Sequence, residues 1–227
     1  MKTLLVCGYG SGISDAVVRR FAAEGFAVGI AARSADKLAA AKRAFKEKGI
    51  DVKTFAVDLS NPSAAARLVH DARAALGPLS VIHWNAASRA AGDLLSAKPV
   101  DLCEVLDVAV TCLVSVVQEA LPDLKAAKGA LLVTNGGLGV IDTKIDTMAV
   151  RINSMGLAVA NAAKRKLVGV LAERLRADDI YVGEVVVMGL VKGTVSDRGN
   201  ATIEPDSVAQ KFWTLFTQRD IVSVEAR

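Results

Sequence analysis

Phenols, imidazoles and thiols are scarce in this chain: two tyrosines, two histidines and three cysteines among 227 residues. Cys7, Cys103 and Cys112 form an odd set without metal-ligand spacing, and His70 and His83 could not complete a zinc site. That pattern fits a reducing cytoplasm. A long uncharged apolar run is missing too. The best candidate, residues 105–117, is broken by Asp107 and falls short of the roughly 18–20 residues a membrane span needs. No secretory signal is expected, because Met1-Lys2-Thr3-Leu4-Leu5-Val6 runs directly into glycines without a longer apolar stretch or a cleavage site.

Apolar residues, by contrast, are plentiful. Hydrophobic residues make up 52% and charged residues 23%, a balance that excludes disorder and supplies the core of one domain over residues 1–227. The mean hydropathy of +0.36 is read as a buried parallel sheet plus a subunit interface, with no membrane contact. The net charge of +4 is mild. Its lysines and arginines are scattered, as at Arg19-Arg20, Lys42-Arg43 and Lys164 to Lys166, so a solvated surface is expected and no nucleic-acid stripe.

Strand-like and helix-like segments alternate along the whole length. Residues 3–7, 26–31, 52–57, 80–83, 130–134 and 181–187 are short apolar runs, and helix-length segments at 13–24, 35–48, 63–76, 100–127 and 153–175 separate them. Apolar strands joined by helical crossovers predict a doubly wound α/β parallel sheet, a Rossmann fold with helices on both faces. Segments 100–121 and 156–175 are apolar around most of their circumference. A helix covering a sheet needs only one apolar stripe, so these two are expected to build a homo-oligomer, a tetramer or dimer.

The first strand ends in Gly8-Tyr9-Gly10-Ser11-Gly12-Ile13-Ser14 and feeds a helix. Glycines there let backbone approach a pyrophosphate at the helix N-terminus, so a dinucleotide is expected. After the second strand, Ala32 stands where a carboxylate would bind the ribose hydroxyls of NAD. Arg33 and Ser34 suit a 2′-phosphate instead, which points to NADP(H); the competing reading of Arg33 is a solvated side chain ahead of a helix. After the third strand, Asp58-Leu59 places a carboxylate that can accept from the adenine amine or cap the helix near Asn61-Pro62.

These features together resemble the short-chain dehydrogenase/reductase family over essentially the whole chain. Gly8, Gly12 and Ile13 match its Gly-x-x-x-Gly-Ile-Gly turn, with Ser14 for the last glycine. Asn85-Ala86-Ala87 matches its Asn-Ala-Gly, and Met188-Gly189 replaces its Pro-Gly after the sixth strand. The resemblance puts Thr194 near the nicotinamide carboxamide. It also implies a tetrad in which tyrosine moves the proton, lysine lowers the tyrosine pKa and holds the nicotinamide ribose, serine fixes the substrate oxygen and asparagine supports a water relay. Here Lys164 is retained, while Ala109, Gly136 and Ala160 stand at the asparagine, serine and tyrosine positions. A one-residue shift would put Asn135 or Gly137 at the serine.

Neither tyrosine can substitute on this pattern, since Tyr9 lies in the phosphate turn and Tyr181 opens the sixth strand; seven residues before the lysine stands Leu157. Two readings follow. In one, an NADP(H)-dependent oxidoreductase acts on a small molecule with a proton from water, from Lys164 or from the segment Asp142-Thr143-Lys144-Ile145-Asp146-Thr147. In the other, the fold binds nucleotide without turnover, as a sensor, partner subunit or structural protein. Residues 137–153 are read as a substrate loop, and His83 as a strand histidine near the sheet edge.

Overall fold

In the computed structural model, which describes residues 2–227, the first half of the chain runs β1 (Thr3–Cys7), α1 (Ile13–Ala22), β2 (Ala27–Ala32), α2 (Ala35–Glu47), β3 (Val52–Ala56), α3 (Pro62–Leu76) and β4 (Val81–Trp84). Then follow α4 (Pro99–Leu106), α5 (Cys112–Ala127), β5 (Ala130–Gly136), α6 (Thr143–Arg151), α7 (Met155–Leu175), β6 (Tyr181–Val187), α8 (Pro205–Gln218) and β7 (Ser223–Ala226). The strands form one sheet in the order β3-β2-β1-β4-β5-β6-β7, and every neighbouring pair is parallel. This is the doubly wound α/β sheet that the alternating pattern predicts.

Side-chain alternation divides the interior in two. In β1, Leu4 and Val6 join a core with α1, α2 and α8, where Phe21, Phe45, Phe212 and Phe216 pack. Leu5 and Cys7 point the other way, toward α3, α5 and α7. The chain leaves β1 outward to β2 and β3, then crosses to β4 on β1's other side. The C-terminal ends of β1 and β4 are thus the switch point, where open α/β sheets leave their ligand crevice.

Local chemistry sets the helix starts. Ser34 caps α2 by accepting from the Lys37 N–H, Asn61 caps α3 by accepting from Ala64 with Pro62 in the first turn, and Asp142 caps α6. Asp58 therefore does not cap α3. Helices α4 and α5 form one continuous rod interrupted by a π turn at Asp107–Thr111, which holds Ala109. No helix of the described residues is long and apolar enough to cross a membrane.

Three expectations need correction. Residues 143–151, read as part of a substrate loop, are helical because Asp142 caps them and Ala149 turns inward. His83 lies in the central strand β4, fully buried against Phe212, and not near an edge. The apolar surplus of the two long helices is also smaller than it reads. Val105, Val108, Leu113, Val116 and Val117 are buried within one copy of the chain, and among large apolar side chains Val159 and Val170 of α7 and Val100 of α4 stay exposed. Helix α8 and strand β7, which complete the far side of the sheet, lay outside the sequence reading.

Helix α7 lies unusually close to the turn after β5. A Cβ on Gly139 would sit 2.6 Å from the Ala162 nitrogen and the Asn161 carbonyl carbon, whereas one on Gly169 of the same helix would meet nothing within 4 Å. Gly139→Ala is therefore expected to destabilise the protein by about 1–3 kcal/mol through overpacking. Gly169→Ala should stabilise it by about 0.5–1 kcal/mol by removing a helical glycine. Thermal unfolding should separate the two by several degrees in opposite directions, and a Gly139→Ala protein as stable as wild type would contradict the close approach.

Candidate active site

The glycine turn is built by its neighbours. Gly8 takes φ 89°, and a Cβ there would lie 2.5 Å from the backbone nitrogen of Ala86, so no other residue fits as β4 passes. The Asn85 amide donates to the Gly8 carbonyl at 3.0 Å, and the buried Ser14 hydroxyl both accepts from the Gly10 N–H and donates to the Gly10 carbonyl. Ser14 thus stabilises the turn. Asn85 is turned toward the loop and not outward. Gly12, at φ 139°, precedes α1 without any side-chain cap, so the first helical N–H groups are left for an anion. Gly10 and Ser11 are exposed beside them, with Ile13 partly buried beneath.

The segment after β6 folds over this turn. The Ser11 hydroxyl donates to the Gly193 carbonyl at 2.9 Å. Thr194 donates to the Val191 carbonyl, and its methyl lies 2.7 Å from where a Gly12 Cβ would stand. Gly189 begins the segment, which a bridge between Val191 and Ile203 closes at its base. Farther along, Ser196 accepts from the Arg89 guanidinium in the loop after β4 at 2.9 Å.

At the ends of β2 and β3 three charged or polar groups converge. Arg33 is exposed and makes no ion pair among the described residues, and Ser34 keeps a hydroxyl hydrogen to donate beyond its cap. Asp58 accepts from the Ser60 N–H and hydroxyl, which hold its carboxyl below the usual range, with Arg33 acting the same way; it is ionised at neutral pH. Leu59 beside it is buried.

The other end of the crevice lies between β5 and α7. Asn135 staples the two together: its Oδ1 accepts from the Gly136 N–H, and its Nδ2 donates to the Asn161 carbonyl on α7 and to Glu184 Oε2 on β6. Glu184 is 2% exposed and also accepts from the Ser223 hydroxyl. Next to this network Lys164 is 3% exposed and makes no side-chain hydrogen bond among the described residues. Burial disfavours its charged form and pulls its pKa from 10.5 to about 8; the Glu184 carboxylate opposes that shift. A lysine held there is part-neutral at physiological pH and can take up or release a proton.

One turn earlier on α7, Ala160 offers no such group. Ala160 and Ala109 are both buried and pack with Ala91 and Val105 in a small apolar cluster. The loop after β4 is pinned against α7 there, with Met155 and Gly156 donating to the carbonyls of Gly92 and Ala91. Both phenols lie elsewhere. Tyr9 bonds Asp15 behind the glycine turn, and Tyr181 bonds the Ile221 carbonyl at the opposite edge of the sheet. His83 cannot offer a proton, because burial lowers its pKa to about 3. Among the described residues no cluster of His, Cys, Asp and Glu could hold a metal ion.

Sequence reasoning missed Glu184, Asn161 and the stapling role of Asn135. A signal existed for the first, a lone carboxylate in the otherwise apolar run of β6. None marked Asn161, whose position depends on how closely α7 meets the β5 turn.

Known proteins share this fold. A family model described as short chain dehydrogenase matches residues 2–197. A 3-dehydrosphinganine reductase of Arabidopsis thaliana is 32% identical over 129 residues, which is 56% of this chain and 38% of that protein. The chain thus spans well under half the length of the first curated relatives it matches. An uncharacterized oxidoreductase of Mycobacterium tuberculosis is 27% identical over 210 residues, 89% of this chain and 76% of that protein. Among solved structures, a metagenomic short-chain oxidoreductase in complex with NADP superposes with a TM-score of 0.81 at 25% identity, covering 99% of this chain and 96% of that one. L-Sorbose reductase of Gluconobacter frateurii, complexed with NADPH and L-sorbose, shares the fold with a TM-score of 0.83 at 22% identity, over 98% and 93% of the two chains. With the family model covering nearly the whole chain, the protein belongs to the short-chain dehydrogenase family of oxidoreductases.

Proposed function

We propose that this protein is an NADP(H)-dependent oxidoreductase in which Lys164, not a phenol, holds the proton for the reaction of a small molecule. The observation that carries this reading is Lys164 itself. It is a buried amine without a protein partner, poised near neutrality beside the β5 turn.

The residues fit the cofactor. The uncapped N-terminus of α1 and the turn from Gly8 to Ile13 would hold a pyrophosphate, Arg33 and Ser34 a 2′-phosphate, and Asp58 the adenine amine. Asn85 and Ala86 would shape the floor beneath, and Gly189 and Thr194 the cover. Relatives crystallised with NADP or NADPH support the choice of cofactor. The bound dinucleotide supplies or accepts the hydride. Lys164 supplies the proton in the reducing direction, and the apolar wall of Ala91, Val105, Ala109 and Ala160 keeps water away from its neighbourhood. The loss of a positioned acid typically costs about 10²–10⁴ in rate, so simple ketones should react slowly and activated acceptors better.

A second reading, nucleotide binding without turnover, draws on the same apolar cluster, since it fills the space a tyrosine would need. Lys164 and Arg33 would then serve binding alone.

Three outcomes are expected. In calorimetry NADPH should bind more tightly than NADH, and Arg33→Ala should erase most of the difference, about 10–100-fold for a charge-assisted contact; equal affinities in wild type would sink the assignment. With NADPH and a panel of activated carbonyl, imine and alkene compounds, the rate should fall as pH rises through about 8, because the donor is the protonated amine. Lys164→Met should remove that dependence along with most of the activity. A panel that oxidises no NADPH would favour the binding-only reading. Finally, Val159 and Val170 on α7 and the partly buried Leu106, Val110 and Val114 along α4 and α5 support a homo-oligomer. A monomer in light scattering at micromolar concentration would contradict this.

A further inference from the structure

A serine is missing where β5 ends, and the space it would use is taken. The Asn161 side-chain nitrogen lies 2.6 Å from the point that a Cβ on Gly136 would occupy. Real side chains do not approach so closely, so a side chain at 136 would push the Asn161 amide out of this place. The glycine vacates the position, and the amide of α7 fills it from the opposite wall.

That amide has no protein partner. Asn161 is 4% exposed; its backbone carbonyl accepts from Asn135, while its side chain makes no hydrogen bond among the described residues. Buried polar side chains normally find a partner, because an unsatisfied amide costs about 1–3 kcal/mol. The fully sealed polar side-chain atoms that lack one are His83 Nδ1 and Trp84 Nε1. The Asn161 amide is not among them, so it is not fully sealed. Position 161 is also three residues before Lys164 on the same helix, which puts both side chains on one face of α7. The Asn135 staple and the close approach at Gly139 hold that stretch of backbone in place.

We propose that the Asn161 amide takes over the part of the missing serine, donating a hydrogen bond to the carbonyl oxygen or imine nitrogen of the substrate while Lys164 manages the proton. An amide N–H aimed at an oxygen that gains negative charge is the type of donor whose removal costs about 10²–10³ in kcat. Gly136 and Asn161 then form a matched pair, and the substrate class narrows to molecules with one compact acceptor atom at the reacting centre. This inference rests on the oxidoreductase reading above.

The test uses the full-length protein with two probes, cyclohexanone and 2,2,2-trifluoroacetophenone. Each is assayed for NADPH oxidation and is also titrated into the protein–NADP+ complex, where no turnover can occur. Asn161→Ala should lower kcat about 100-fold and weaken ketone binding at least about tenfold. The NADPH affinity, the melting temperature and the pH midpoint should stay as in wild type. Gly136→Ser alone should be slowed because it displaces the amide, whereas Gly136→Ser combined with Asn161→Ala should exceed Asn161→Ala alone, since the serine can then take the amide's place. Turnover by wild type that Asn161→Ala leaves unchanged overturns this proposal and leaves the oxidoreductase reading standing. Ketone binding that depends on Asn161, without turnover, overturns the oxidoreductase reading and keeps Asn161 as the ligand-holding group. Neither binding nor turnover with either probe would overturn both.

Discussion

The contact between the N-terminal half of α7 and the end of β5 governs the chemistry of this protein. Two backbones come together at Gly139, and the Asn135 side chain fastens them with bonds to Gly136, Asn161 and Glu184. The approach strips most of the solvent from Lys164, which is 3% exposed. A lysine set on a looser helix would be hydrated and carry its ordinary charge; here desolvation favours the neutral amine, and Glu184 limits how far the shift goes.

The same contact sets how neighbours close around the small residues of this region. The Asn161 side chain lies against Gly136, and Ala91 and Val105 pack around Ala160 and Ala109. Empty apolar volume would cost stability in proportion to its size, so close packing of this kind is expected of a protein interior. The glycine turn, the uncapped α1 and the neighbouring charges of Arg33 and Asp58 lie at the C-terminal ends of β1, β2 and β3, and no side chain blocks the open face of Gly10.

Much of the fold was legible in the sequence, because its signals are local. Apolar runs of strand length separated by helix-length segments specify a parallel sheet wherever they occur, and the turn from Gly8 to Ser14 announces its own place after β1. That Lys164 stands on a long helix was legible for the same reason, through spacing along one chain. The buried network was not. Nothing near Asn161 in sequence reveals that β5 ends against it, and Glu184 becomes meaningful only when β6 lies beside β5 and β7. The capped α6 was misread as a loop because its nine residues mix polar and apolar side chains and bury only Ala149. The long helices looked too apolar for the same kind of reason, since the sequence does not say that α4 and α7 bury residues against each other.

The central claim is that Lys164 is a desolvated amine poised near neutrality. Its most direct test is an NMR titration of the Lys164 side chain in protein labelled with carbon-13 lysine, assigned by comparison with Lys164→Arg. The account predicts a midpoint near 8, moving lower in Glu184→Gln as the opposing carboxylate is removed. A midpoint at the ordinary lysine value of 10.5, unmoved by that substitution, would contradict it.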